Sequence, residues 1–264
     1  MLQRRLLLAA GLGLVAAPLC AATAADAFEG DPFQSFQWPE LKKEFLGARA
    51  RTLFDPRVKV QGPAFAEDPM NVPVTVSTDL PGVQRIVVLV DRNPIRKVLE
   101  LQPLAAQPAV SFRFKLEQAS PVRALVQTAD GLWHVGGTWV DSAGGGCTVA
   151  GATRADGSWT QTLGQVSGRV FAGQASTPGG DSAARLRLRI MHPMDTGLVG
   201  GIPAFYVSKL SVRDGADREL LRIQTFEPVS ENPVFSFDFA KAPPGPLRIV
   251  GVDNNGNRID SRVE

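Results

Sequence analysis

The chain has 264 residues, with 28 Lys+Arg against 26 Asp+Glu, two histidines and two cysteines. A formal net charge of +2 gives no electrostatic case for nucleic acid or for an anionic membrane surface. Neither HExxH nor CxxC occurs, and two histidines and two cysteines are too few for the usual metal-ligand clusters.

The N-terminus reads MLQRRLLLAAGLGLVAAPLCAATAADAFEG. Arg4 and Arg5, an apolar run from Leu6 to about Leu19 and small residues after it have the layout of a secretory signal peptide, taken as residues 1–27. No second hydrophobic span follows, so a membrane anchor is not expected. Export with signal removal places the protein in the periplasm, takes Arg4, Arg5 and Cys20 away, and leaves Cys147 as the one cysteine in an oxidising compartment. A leftover cysteine there points to a reactive thiol or to a disulfide-linked dimer; a buried, inert cysteine is the plain alternative.

From Phe36, FQWPELKKEFLGAR places Leu41, Phe45 and Leu46 on one side with Pro39 in the first turn, which predicts a short amphipathic helix. Short β-branched runs follow at 72–77, 84–91, 109–116, 122–128 and 132–140. SFRFKL alternates as a half-buried strand does, and TADG reads as a hairpin turn. These signals predict a first antiparallel β domain over 36–141, a sandwich or a closed barrel. Residues 142–183 are rich in Gly, Ala, Ser and Thr and read as a flexible linker, within which WTQTLGQVSGRVF has the makings of local structure docked on a domain. Strands resume over 184–264, with Phe235, Phe237 and Phe239 sharing one face of VFSFDF and DNNG marking a hairpin. The expected fold is all-β: two sandwiches joined by a Gly-rich connector, after a short N-terminal helix.

The candidate chemistry sits in DSAGGGCTVAGA, where Gly144, Gly145 and Gly146 precede Cys147. Glycines access φ of both signs, and the span from Val140 to Cys147 reaches roughly 20–25 Å when extended. A tether of this kind holds no base or oxyanion hole around the sulfur, so it suits a covalent handle for another enzyme's catalyst. A Cys–His nucleophile pair needs His134 or His192 beside Cys147. His134 lies in a strand pattern beside Trp133, which reads as a packing or surface role, and His192 lies in MHPMDTG, where Pro193 and Gly197 mark a turn after a strand. Met191 and Met194 read as packing residues as well, their spacing with His192 being weak grounds for copper.

The segments RIMHPMDTG, GIPAFYVSKLSV, VSENPVFSFDF and VGVDNNGN together resemble SoxZ, and WPELKKEFLG, GPAFAEDPMNVPVTV and the Gly-Gly-Cys at 145–147 resemble SoxY. The resemblance covers nearly the whole exported chain and looks most like the fused SoxYZ-like carriers associated with quinoprotein dehydrogenases. It implies immunoglobulin-like sandwiches, a SoxY-like domain at 36–141 and a SoxZ-like domain at 184–264. It also implies a non-enzymatic role in which Cys147 carries a covalent sulfur adduct, thiosulfate-derived or related, with no cofactor and no metal. The implied partners are periplasmic sulfur-oxidation enzymes, c-type cytochromes or a quinoprotein dehydrogenase. The HPM block is assigned to folding or docking. The family motif is a free C-terminal GGCGG, whereas here Thr148 and Val149 follow the cysteine and the arm continues into a second domain. A non-catalytic scaffold that docks a dehydrogenase or cytochrome is the competing reading.

Overall fold

The computed structural model describes residues 30–173 and 182–264; the signal-peptide reading of 1–27 and Cys20 lie outside them. The described residues are mostly strand: β1 Thr52–Phe54, β2 Val58–Gln61, β3 Phe65–Ala66, β4 Val72–Thr78, β5 Val83–Val90, β6 Lys97–Gln102, β7 Ala109–Phe114, β8 Ser120–Thr128, β9 Trp133–Ser142, β10 Val166–Ala172, β11 Ala184–Ile190, β12 Val207–Arg213, β13 Glu219–Thr225, β14 Val234–Phe239, β15 Leu247–Asp253 and β16 Arg258–Val263. The all-β class and the short helix, at Trp38–Phe45, are as the sequence predicts.

The strands form two sheets, and both run through the two halves of the chain. One has the order β1-β9-β8-β5-β6-β13-β12-β15-β16, with β3 beside β9; the other is β10-β11-β14-β7-β4-β2. The seam in the first sheet is the antiparallel β6–β13 ladder, which pairs Leu101 with Ile223 and Leu99 with Thr225. In the second sheet β7 meets β14 at Ser111 and Ser236, and the backbone continues the seam through Lys115 N–H to the Pro228 carbonyl (2.6 Å) and Ser230 N–H to the Arg113 carbonyl (3.1 Å). One apolar core fills the space between the sheets, and it contains Val88, Leu99 and Phe112 together with Ile223, Phe237 and Ile249.

Local sequence explains which strands face what. β11 alternates Leu186, Leu188 and Ile190 inward with Arg185, Arg187 and Arg189 outward. β5 is apolar on both faces because its outer face is also covered. There Val87 and Leu89 join Leu125, Trp133 and Val135 beneath Trp38 and Leu41 of the helix. The segment before this helix is pinned by Arg123, fully buried, whose guanidinium binds Asp31 (2.7 and 2.8 Å) and Asp91 (2.8 and 2.8 Å) between the rings of Phe33 and Trp38. A buried charge persists only when it is paired and hydrogen-bonded in this way.

The expectation of a flexible connector over 142–183 differs from the structure wherever those residues are described. Short helices at Ala152–Asp156 and Trp159–Thr162 lead into β10, which pairs with β11 over seven residues from Val166↔Ile190 to Ala172↔Ala184. Val166 and Val170 pack against the shared core. Gly168 is needed for close approach: a Cβ there would meet the Arg187 carbonyl at 3.0 Å and Val263 at 3.1 Å. Composition signalled freedom, but packing removes it.

Because both sheets and the core cross the seam, thermal unfolding is expected as one transition with a calorimetric enthalpy matching the van't Hoff value. Scanning calorimetry checks this, and two resolved transitions would show halves that do not depend on each other.

Candidate functional site

The three residues after β7, Lys115, Leu116 and Glu117, form one wall of the site. Asn93 braces them, its amide donating to the Lys115 carbonyl (2.8 Å) while its carbonyl accepts the Glu117 N–H (2.9 Å). The glycine arm leaves β9 and lies on this wall. Gly145 N–H donates to the Glu117 carbonyl (3.1 Å) and Gly146 N–H to the Leu116 carbonyl (3.2 Å). Gly144 and Gly145 have φ of +94° and +88°, a region that disfavours any side chain. Gly146 is required for a different reason. A Cβ there would sit 2.2 Å from the Pro69 carbonyl oxygen and 2.6 Å from that of Leu116.

Cys147 is consequently buried, with no exposed surface. Its N–H donates to Glu117 Oε2 (2.9 Å), and the Thr148 hydroxyl donates to the same carboxylate (3.1 Å to Oε1). The thiol lies 3.6 Å from the Lys115 carbonyl, to which it donates. From the other half of the chain, the Thr196 hydroxyl donates to the Cys147 carbonyl (2.6 Å). The arm is thus held at the seam, by 115–117 from one side and by the HPMDTG turn from the other. The tether expected to swing freely is docked, because its glycines fit against backbone that no larger residue could approach.

The turn itself is strongly built. Met194 takes a φ of +49°, with its N–H bound to His192 Nδ1 (3.1 Å) and its sulfur accepting the Val207 N–H (3.3 Å). Its carbonyl accepts the ammonium of Lys115, a side chain with only 2% of its surface exposed. Asp195 pairs with Arg154 of the first short helix. That guanidinium stacks on Trp159 (4.3 Å), and Glu231 binds the Ala152 and Thr153 amides (2.9 and 2.6 Å). The arm is therefore pinned downstream of Cys147 as well as upstream. With both ends fixed, the loop from Gly144 to Gly151 carries its tip roughly 10–14 Å, less than the extended reach of a free arm.

Electrostatics at the docked thiol oppose ionisation. Burial, and secondarily the Glu117 carboxylate, push its pKa up to about 12, with the Lys115 ammonium pulling the other way. Burial also lowers the Lys115 pKa, opposed by Cys147, Asp195 and Glu231. Neither histidine is a hydrogen-bond partner of the thiol. His134 binds Asp55 (2.8 Å) and sits 3.4 Å from the Thr128 hydroxyl. His192 supports Met194 and turns Nε2 toward Asp253 at 3.5 Å, and burial lowers its pKa to about 4. Among the described residues no group of three or more His, Cys, Asp or Glu is placed to hold a metal.

The residues that sequence reasoning missed are Lys115, Glu117 and Thr196. Thr196 had a signal in the HPMDTG block, whereas the two charged residues look like an ordinary solvated strand end.

Comparisons with known proteins bear on this geometry. Residues 42–147 match the family described as "Sulfur oxidation protein SoxY", and the match ends on Cys147. Residues 174–264 match the family described as "Sulphur oxidation protein SoxZ". A solved structure of the sulfur carrier protein SoxY from Chlorobium limicola f thiosulfatophilum is similar at 23% identity, covering 40% of this chain and 90% of that one, with a TM-score of 0.37. A search of the curated proteins gives no match.

The docked thiol keeps its proton, so docking is favoured at low pH. That preference is complete below the free thiol's pKa of about 8.5 and is lost as pH rises toward about 12, at ~1.4 kcal/mol per unit. Iodoacetamide alkylation of the native protein is therefore expected to keep climbing about tenfold per pH unit above pH 9, where the urea-unfolded chain levels off near its thiol pKa. A native profile that levels off with the unfolded one would mean an arm that is not docked in solution.

Gly146→Ala, which cannot keep the arm seated, is expected to speed native alkylation at pH 8 by about tenfold or more with an unchanged far-UV spectrum, an undocking cost above ~1.4 kcal/mol. An unchanged rate would contradict the close approach at Gly146.

Proposed function

From the fact that this chain joins a SoxY-family domain and a SoxZ-family domain in one polypeptide, we propose that it is a covalent sulfur carrier, with Cys147 holding sulfur-containing intermediates for the enzymes of a sulfur-oxidation pathway. The observation that carries the reading is the position of Cys147. A lone thiol ends the SoxY match on two hinge-like glycines, and it docks, protonated, at the seam with the SoxZ-like half. Among the described residues neither histidine bonds to it, and burial with the Glu117 carboxylate outweighs the pull of the Lys115 ammonium, which supports a carrier over a thiol enzyme.

The docked and released states divide the work. In the dock, the raised pKa and full burial protect the thiol from adventitious oxidation, since reaction needs a thiolate and access. Release breaks the Thr196 bond to the Cys147 carbonyl and the Glu117 bonds to Cys147 and Thr148, and rotation is centred on Gly144 and Gly145. The freed thiol then regains an ordinary pKa and enters a partner's site. With thiosulfate as cargo, loading joins the cysteine thiolate to the outer sulfur: Cys-S⁻ plus S–SO₃²⁻ gives Cys-S–S–SO₃⁻ and two electrons. A new S–S bond forms, and the electrons pass to a redox partner such as a c-type cytochrome. A quinoprotein dehydrogenase is the other partner that the resemblance suggests. Because the arm is pinned at both ends, the matching partner site is an open cleft that receives a loop. Export to the periplasm is part of the same proposal and rests on the N-terminal sequence.

The test is intact-mass measurement of protein taken without reductant from cells grown on reduced sulfur. The expected result is a mass increment that maps to Cys147, disappears on reduction, and is missing in Cys147→Ser although that variant folds. An unmodified thiol under every such condition, or pathway turnover undiminished in Cys147→Ser, would refute the carrier role.

A further inference from the structure

We propose a second, non-covalent site, on the outer face of the six-stranded sheet, that binds a compact oxyanion dianion of the sulfate type. Three arginines carry it. β11 turns Arg185, Arg187 and Arg189 to solvent. Arg185 is neutralised by Asp238 at 3.0 Å, but Arg187 and Arg189 have no carboxylate within ion-pair distance among the described residues. With Arg113 of β7, equally unpaired, they line a cleft of about 420 Å³ whose rim includes Asn71 and Asn232.

The charge arrangement is costly without a ligand. Arg169 of β10 stands directly opposite Arg187 in the ladder and shares with Arg187 and Arg189 an adjoining hollow of about 230 Å³. Like charges directly opposed on neighbouring strands are destabilising, yet Arg169 and Arg187 stand so, with Arg113 and Arg189 lining the same clefts, in a chain whose total charge is close to balanced. The one carboxylate in the cleft lining, Glu231, directs both oxygens to the Thr153 and Ala152 amides. Asn232 accepts the His192 N–H through Oδ1 (3.0 Å), which leaves its NH₂ as a further donor.

Guanidinium forks match the geometry of tetrahedral oxyanions and bind them bidentately. Their convergence on one concave hollow, with an amide donor at its edge, fits a small dianion better than the broad contact of an acidic protein. Asn71 and Arg113 come from the first half of the chain and Arg187, Arg189 and Asn232 from the second, so the cleft exists only where the halves meet. The site is independent of the carrier reading of Cys147.

The experiment is calorimetric titration of the full exported chain with sodium sulfate, thiosulfate and phosphate, each against chloride at constant ionic strength. Saturable one-to-one binding of an oxyanion is expected. Arg187→Gln with Arg189→Gln should weaken it by at least about tenfold, while Cys147→Ser binds as the wild type does. In chloride the arginine variant should melt no lower than the wild type, since repulsion is relieved, and oxyanion should raise the melting temperature of the wild type alone. No saturable binding above chloride, or binding undiminished in the arginine variant, overturns the proposal. Binding of poly-glutamate without binding of the small anions also overturns it and assigns the face to an acidic protein.

Discussion

Burying the ammonium of Lys115 is the constraint on which the site depends. Removing a charge from water costs several kcal/mol unless the interior supplies partners, and here they come from the other half of the chain. The Met194 carbonyl accepts the ammonium, and Asp195 and Glu231 contribute opposite charge. Presenting that carbonyl requires Met194 to hold a left-handed φ, which a non-glycine residue keeps only when its surroundings enforce it. His192 and Val207 supply the enforcement. The turn that satisfies the lysine also offers Thr196 to the arm, so one buried charge links the seam, the turn and the cysteine.

Much of the fold is legible in local patterns, because alternation and turn chemistry act over a few residues. ARLRLRI and VFSFDF are half-buried strands in the structure as in the sequence, and the helix at Trp38–Phe45 forms where the apolar spacing and Pro39 place it. The seam is not legible, since nothing local tells β6 that its edge partner lies more than a hundred residues away in β13. What the local patterns leave out is that the two β halves share their sheets. Lys115 shows the same limit at one residue. Strict alternation in AVSFRFKL places it outside with Arg113, but β7 ends at Phe114 and the chain turns it inward.

The glycine run is the most instructive case. Cys147 and its three glycines were visible as a unit because no other stretch pairs a thiol with so little side chain. Composition reports the conformations that glycine permits, and it is silent on the one that packing selects. Here Gly144 and Gly145 use that freedom to turn, and Gly146 uses its missing Cβ to touch backbone. The same residues make the docked arm fit and, in the proposed release, make the rotation inexpensive in torsional terms.

Fusion changes the balance between those states. Joining the halves makes the seam an intramolecular contact, so the wall at 115–117 and the turn at 194–196 face each other at a high effective concentration rather than by chance encounter. Tethering the arm at both ends cuts the conformational entropy it gains on release, since a loop with fixed ends explores fewer arrangements than a free tail. Both effects favour the docked, protonated thiol relative to a free-ended arm with the same contacts. Opening must then draw more of its free energy from a partner's surface, because a partner shifts this equilibrium only by its differential affinity for the released arm. On the proposed carrier role, an arm tethered at both ends is in this way slower to expose its thiol at random and more dependent on the partner that receives it.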